Sequence, residues 1–319
     1  MSVTQAASGK APSPRAPSAF ARFLDSDFVY SFRHSPVAMV CAIVVLIIII
    51  GAFFCGWLAP HDPFDLASLN LLDSMQPPAF LADGTWSFPL GTDDQGRDVL
   101  SAVMYGTRIS LIVGIFAIVF ALIVGVSIGL ISGYVGGSVD TVLMRVADVQ
   151  LTFPAILIAL LVDGVIRALL PREMQQEVEL YVLIFAIGIA RWPQFARTVR
   201  GSTMVERHKD YVVAARVIGV SPARIMAHHI LPNVVGPVLV IATLNLGLAV
   251  IDEATLSFLG VGLPPTEPSL GTLIRIGNDY LFGGQWWITI FPGITLAVMV
   301  LSFNLLGDWL RDALNPRLR

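Results

Sequence analysis

Six long apolar stretches constrain this chain before anything else does. Val37–Ala59 holds no charged residue and is long enough to cross roughly 30 Å of hydrocarbon as a helix. Ile109–Ser132, Thr141–Val162, Leu180–Ala196, Val234–Leu256 and Ile288–Leu306 are likewise long and predominantly apolar. In lipid, backbone amides and carbonyls must be paired within the spanning structure, so stretches of this length become helices. The expectation is an all-α membrane protein with six transmembrane helices. The overall balance agrees: 55% of the 319 residues are hydrophobic and 13% charged, which a water-soluble domain rarely shows. The net charge of −3 gives no footprint for nucleic acid, and no nucleic-acid partner is expected.

Details within the spans sharpen the reading. Val37–Ala59 begins too late and runs too long for a cleaved signal peptide, so it is expected to be retained. Cys41 and Cys55 both lie in it, about 21 Å apart along a helix and out of disulfide reach. Gly125, Gly129 and Gly133 recur every four residues and offer a bare face for close helix packing, within the subunit or against a partner. Pro154 predicts a kink in the third span, with Arg145 and Asp148 near its start at the interface. Asp163–Glu179 reads as a polar loop. Arg191-Trp192-Pro193 suits an interface at the end of the fourth span, as Trp286 and Trp287 do at the start of the sixth.

The connections are polar. The first 36 residues are Ser/Pro/Ala-rich to about Ala19, a composition that favours disorder. Arg22 and Arg33 follow among Phe20, Phe23, Phe28, Tyr30 and Phe32, either an amphipathic surface segment or a passive lead-in. Asp93, Asp94, Arg97 and Asp98 cluster before the second span. Their spacing fits no calcium loop, and a capped helix start with local salt bridges is the better reading.

Lys209–Asn233 is polar and basic yet lies between two apolar segments. Asp210 and Ser221 can each cap a short helix, and Pro222 suits a first turn. Gly219 permits a sharp bend between the two helices. Ala214 and Ala215 leave a surface nearly bare, and Pro232 marks the return to the bilayer. The shape suits a socket for a soluble partner.

The series Ala214-Ala215, Gly219, then His229-Ile230-Leu231-Pro232 resembles the EAA loop of ABC-importer permeases. Val213 stands where that loop often has Glu, with Glu206 or Asp210 as conceivable stand-ins. Leu90–Ser101, reading Gly-Thr-Asp…Gly-Arg-Asp, and Glu253–Gly262 resemble the dipeptide/oligopeptide class of these permeases, its "C" subunit. The likeness covers roughly Leu90–Leu310. It implies a type I importer (MetI-like) permease fold and an ATPase-coupling loop built from Asp210, Tyr211, Ala214, Ala215, Arg216, Gly219, His229, Leu231 and Pro232. It also implies a second permease subunit forming a heterodimer, two ABC ATPase subunits and an extracytoplasmic peptide-binding protein. The implied division is a tail at 1–36, a first helix at 37–59, an extracytoplasmic connection at 60–106, a permease core at 107–310 with the coupling loop at 201–233, and a tail at 311–319.

Orientation follows from charge. With the N-terminus inside, fifteen of the 20 Lys and Arg residues fall on the cytoplasmic side and five outside, as the positive-inside rule prefers. Both termini and the 209–233 segment are then cytoplasmic, in a multi-pass protein of a bacterial cytoplasmic (inner) membrane. There is no Gly-x-x-x-x-Gly-Lys-Ser/Thr loop, no Gly-x-Ser-x-Gly and no His-Glu-x-x-His, so no enzyme chemistry, cofactor or metal is expected in this chain. ATP and Mg²⁺ would sit on the partner ATPases. His228 and His229 point about 100° apart on a helix and form no shared metal site. Asp252 and Glu253, near the end of the fifth span, are candidates for contact with the passage or with a partner subunit, the structural role being favoured. The alternatives are an ion-gradient-driven secondary transporter or channel, which wants ionisable residues near the midplane, or the same permease role for a nickel chelate or glutathione.

Overall fold

The computed structural model describes residues 27–65, 69–263 and 267–313. The expected N-terminal disorder to Ala19, with Phe20, Arg22 and Phe23, and the terminal Arg317 and Arg319 lie outside the described residues. Among these residues the fold is all helix, and the one β contact is an isolated bridge between Thr92 and Asp98. The helices longer than four residues are α1 (Asp27–Arg33), α2 (Pro36–Phe53), α3 (Val99–Val135), α4 (Gly137–Leu151), α5 (Ala155–Leu169), α6 (Arg172–Glu206), α7 (Asp210–Val217), α8 (Pro222–Phe258), α9 (Leu270–Asn278) and α10 (Trp287–Ala313). Five of them are long and apolar enough to cross a membrane, and a sixth span exists if α4 and α5 count as one.

Local chemistry sets the ends. Ser35 caps α2 by accepting from the Ala38 amide, with Pro36 at the first position, where a missing N–H costs nothing. Asp98 caps α3 by accepting from the Ser101 amide, while Asp93 pairs with Arg97 at 2.5 Å. The acidic cluster before the second span is therefore a capped helix start with a local salt bridge, and Val99–Gly106 belong to the helix rather than to the connection.

Three expectations change. Pro154 does not merely kink the third span: α4 and α5 meet at 96°. Pro154 lacks the N–H that would continue the ladder and caps α5 instead. Asp163–Glu179 is not a loop, since only Leu170 and Pro171 separate α5 from α6. The helix of the fourth span does not end at Arg191-Trp192-Pro193: Pro193 is carried inside α6, which runs on to Glu206, and Arg191 is buried within the bundle. Trp287 is likewise buried, donating its indole N–H to the Thr92 carbonyl at 3.0 Å.

The bundle is organised around α3 and α6, which run parallel. A Cβ added at Gly125 would lie 2.5 Å from Phe195 Cβ, at Gly129 2.6 Å from the Ala196 carbonyl, and at Gly133 2.7 Å from Thr203 Cβ. The glycine stripe thus packs within this subunit, at backbone-to-backbone distance. Val113, Ala117, Leu183, Ile187, Phe195 and Leu256 form the main core. The outer faces of α2 and α3 keep Val40, Ile43, Ile47, Phe116 and Ile123 exposed, as a lipid-facing surface requires.

Candidate functional site: the loop between two spans

α6 and α8 are joined by residues 207–221, and α7 lies within that joint. The expected second short helix does not stop at Asn233. Pro222 opens a helix that continues through a π-turn at Ile225–Ile230 into Leu231–Phe258. Pro232 is therefore inside a continuous helix, and the widened turn before it makes room for its ring. Asp210 is the first residue of α7 rather than its cap.

α7 ends in a Schellman motif. The Val220 amide donates to the Ala215 carbonyl and the Gly219 amide to Arg216. Gly219 sits at φ +81° with nothing near its Cβ position, which only glycine adopts without strain. The two alanines part company. Ala215 is buried with Val126, Leu130, Val199, Ile225 and Ile230, while Ala214 is exposed. The bare face is thus Ala214 alone. Beyond it, Val217 and Ile218 are 81% and 79% exposed, with Val213 half-exposed beside them. Val217 and Ile218 thus form an exposed apolar tip on an otherwise polar loop.

The loop is tied at several points. The Tyr211 hydroxyl donates to Glu206 Oε2 at 2.5 Å, and Lys209 Nζ to Oε1 at 2.5 Å. Asn233 Nδ2 donates to Tyr211 Oη at 3.1 Å and to the His229 carbonyl at 2.7 Å. Glu206 is buried in this clasp, its carboxylate held by Tyr211 and Lys209. Burial, the Glu206 hydrogen bond and the Glu206 charge push the Tyr211 phenol up to about 12. Arg216 stacks over the Tyr134 ring at 5.6 Å, and Arg207 donates to the Gly133 carbonyl at 2.9 Å. Arg200 grips Asp140 through two bonds of 2.5 and 2.7 Å. The α3–α4 corner, α6, α7 and α8 are thereby one block. Leu231 is half-buried and Pro232 exposed.

Asp252 and Glu253 lie inside the bundle. Asp252 Oδ2 accepts from Arg191 Nη2 at 2.6 Å and Nε at 2.8 Å. Arg191 lies well inside α6, and it meets the charge of Asp252, near the end of α8, within the chain. Glu253 is 0% exposed. It accepts from Ser110 and Ser257, each at 2.7 Å, and Ser110 also accepts from the Leu270 amide. That acid binds α3, α8 and α9 together. At the end opposite α7, Arg167 joins Asp163, Glu179 and the Val261 carbonyl. Spacing gave no sign of the Arg191–Asp252 pair or the Tyr211 clasp, because their partners come from different helices.

The architecture is that of a multi-pass helical membrane protein. A chain of the MetNI methionine ABC transporter, crystallised inward facing, superposes with a TM-score of 0.52 over 67% of this chain and 96% of that one, at 17% identity; the fold is MetI-like. Residues 125–319 match the family described as binding-protein-dependent transport system inner membrane component, and residues 26–78 match the N-terminal transmembrane domain of oligopeptide transport permease C. The dipeptide transport system permease protein DppC of Escherichia coli (strain K12) is 41% identical over 92% of this chain and 93% of its own. The di/tripeptide transport system permease protein DppC of Pseudomonas aeruginosa (strain UCBPP-PA14) is 35% identical over 92% of each. The chain belongs to the family of binding-protein-dependent transport system inner membrane components.

Proposed function

We propose that this chain is the permease subunit of an ATP-driven importer of dipeptides and short oligopeptides in a bacterial inner membrane. It forms half of the passage, and a second permease subunit completes it. Two ATPase subunits engage α7 from the cytoplasm, where both termini also lie, and a binding protein delivers peptide on the other side. The peptide cargo is supported by the names of the DppC relatives.

The observation that carries the coupling role is the exposed tip Val217-Ile218 on a helix clasped to both flanking spans. An apolar tip gives an ATPase groove something to bury. The clasp makes movement of that groove a movement of α6 and α8. Nucleotide drives the cycle only through its different affinity for the two states of the assembly. The passage then opens alternately to either side.

The test replaces Val217 and Ile218 by Asp. These side chains touch little within the subunit, so insertion should survive while ATPase co-purification and peptide uptake are lost. Ala215→Glu is a poorer probe, since it would break the packing beneath α7. Retained ATPase binding and uptake in the Val217→Asp/Ile218→Asp protein would overturn the reading.

A further inference from the structure

A cavity of 580 Å³ opens at the end of the bundle away from α7. Its wall carries Asp62 from the connection after α2, Arg108 from α3 and Glu267 from the turn before α9, together with Phe64, Tyr105 and Ile112. The volume lies within the range of small-molecule sites. Phe64 and Tyr105 meet edge to face at 5.5 Å and give the wall a fixed aromatic corner.

The charges set the character of the wall. The deeply placed charges of the bundle meet opposite ones: Arg97 with Asp93, Arg167 with Asp163 and Glu179, Arg191 with Asp252, Arg200 with Asp140. In this cavity Arg108 and Glu267 line one space, and neither makes an ion pair among the described residues. Asp62 accepts the Phe64 amide in its own turn and makes no ion pair among the described residues. Groups of both signs on one wall do not face hydrocarbon, where each would be costly. The cavity therefore opens to water.

We propose that this cavity receives a peptide with both termini free. Asp62 and Glu267 hold the α-ammonium, Arg108 holds the α-carboxylate, and the aromatic and aliphatic wall takes the side chains. A guanidinium is the planar donor that suits a carboxylate, and two acids against one base match a cation that offers several N–H donors. The proposal rests on the importer reading above and adds where this subunit meets the cargo.

The test uses the complete transporter in proteoliposomes with Ile112→Cys. Cys41 and Cys55 are buried and serve as a silent background. The probe is a small uncharged maleimide, with Ala-Ala added in excess over the binding protein. Labelling should slow about tenfold at a peptide concentration about ten times Kd. N-acetyl-Ala-Ala-amide should give no protection. Arg108→Gln and Glu267→Gln should each abolish protection, with assembly judged by co-purified ATPase, and Arg108→Lys should keep part of it. Equal protection by the blocked peptide, protection that survives both substitutions, or an introduced thiol that is never labelled would each overturn the site. ATP-driven uptake of Ala-Ala by the parent transporter separates the two readings. Uptake without protection sinks the cavity alone, and no uptake sinks the importer reading.

Discussion

The Tyr211 hydroxyl donates to Glu206 across the turn between α6 and α7, at 2.5 Å. Asn233 of α8 closes on the same hydroxyl at 3.1 Å. One phenol thereby joins three helices, and α7 moves only with the spans on either side of it.

Removing that hydroxyl loosens the joint. Hydrogen bonds to charged groups contribute about 1.5–3 kcal/mol, and the 39% exposure of Tyr211 brings the expectation to about 1 kcal/mol. Tyr211→Phe should speed amide exchange in α7 about fivefold, with α3 unchanged, in hydrogen–deuterium exchange by mass spectrometry. Unaltered exchange in α7 would show that the clasp does not hold it.

The same clasp has a pH limit. Burial and Glu206 raise the Tyr211 phenol from its ordinary value of 10.0 to about 12. The folded state holds the proton more tightly than the unfolded one, so the contribution is complete below the ordinary value and is lost as pH rises through about 12. A spectrophotometric phenol titration of the protein minus that of Tyr211→Phe should give one late-ionising tyrosine. A difference curve centred near 10 would contradict it.

Arg191 and Asp252 are both buried, so breaking the pair is costlier than replacing it. Arg191→Met alone strands a carboxylate and should destabilise by about 3–5 kcal/mol. Arg191→Met with Asp252→Leu should recover most of that loss. Thermal unfolding of the purified subunit reads both, and a double variant no more stable than the single one would refute the pairing.

Gly129→Ala tests the α3–α6 contact. The new Cβ would lie 2.6 Å from the Ala196 carbonyl and 2.7 Å from Val199 Cβ, an overpacking that costs about 1–3 kcal/mol. Gly164→Ala in α5 is the control, since nothing lies within 4 Å of its Cβ position. It should gain about 0.5–1 kcal/mol from helix propensity. Equal effects in a melting series would mean that the glycine stripe is not a packing seam.

Much of the architecture was legible beforehand because lipid leaves few options. Uncharged runs become helices, Asp98 before Val99 caps one of them, and Gly219 marks where α7 ends. The family was legible in Ala214-Ala215…Gly219 and Gly91-Thr92-Asp93. What escaped was anything that depends on two helices at once. Pro193 and Pro154 look alike in sequence, yet one is carried inside a helix and the other breaks a span at 96°. Ala214 and Ala215 look interchangeable, yet one is exposed and the other buried.

The amino-acid order by itself determined where the apolar segments lie, the cap at Asp98 and the turn at Gly219, because those depend on neighbours a few residues away. Tertiary structure alone decided that Arg191 meets Asp252 from sixty-one residues off, that Glu253 is held by serines of its own bundle, and which face of α7 is bare. Those outcomes are set by the rotation and depth of each helix against the next, and packing fixes these only when all the helices are together.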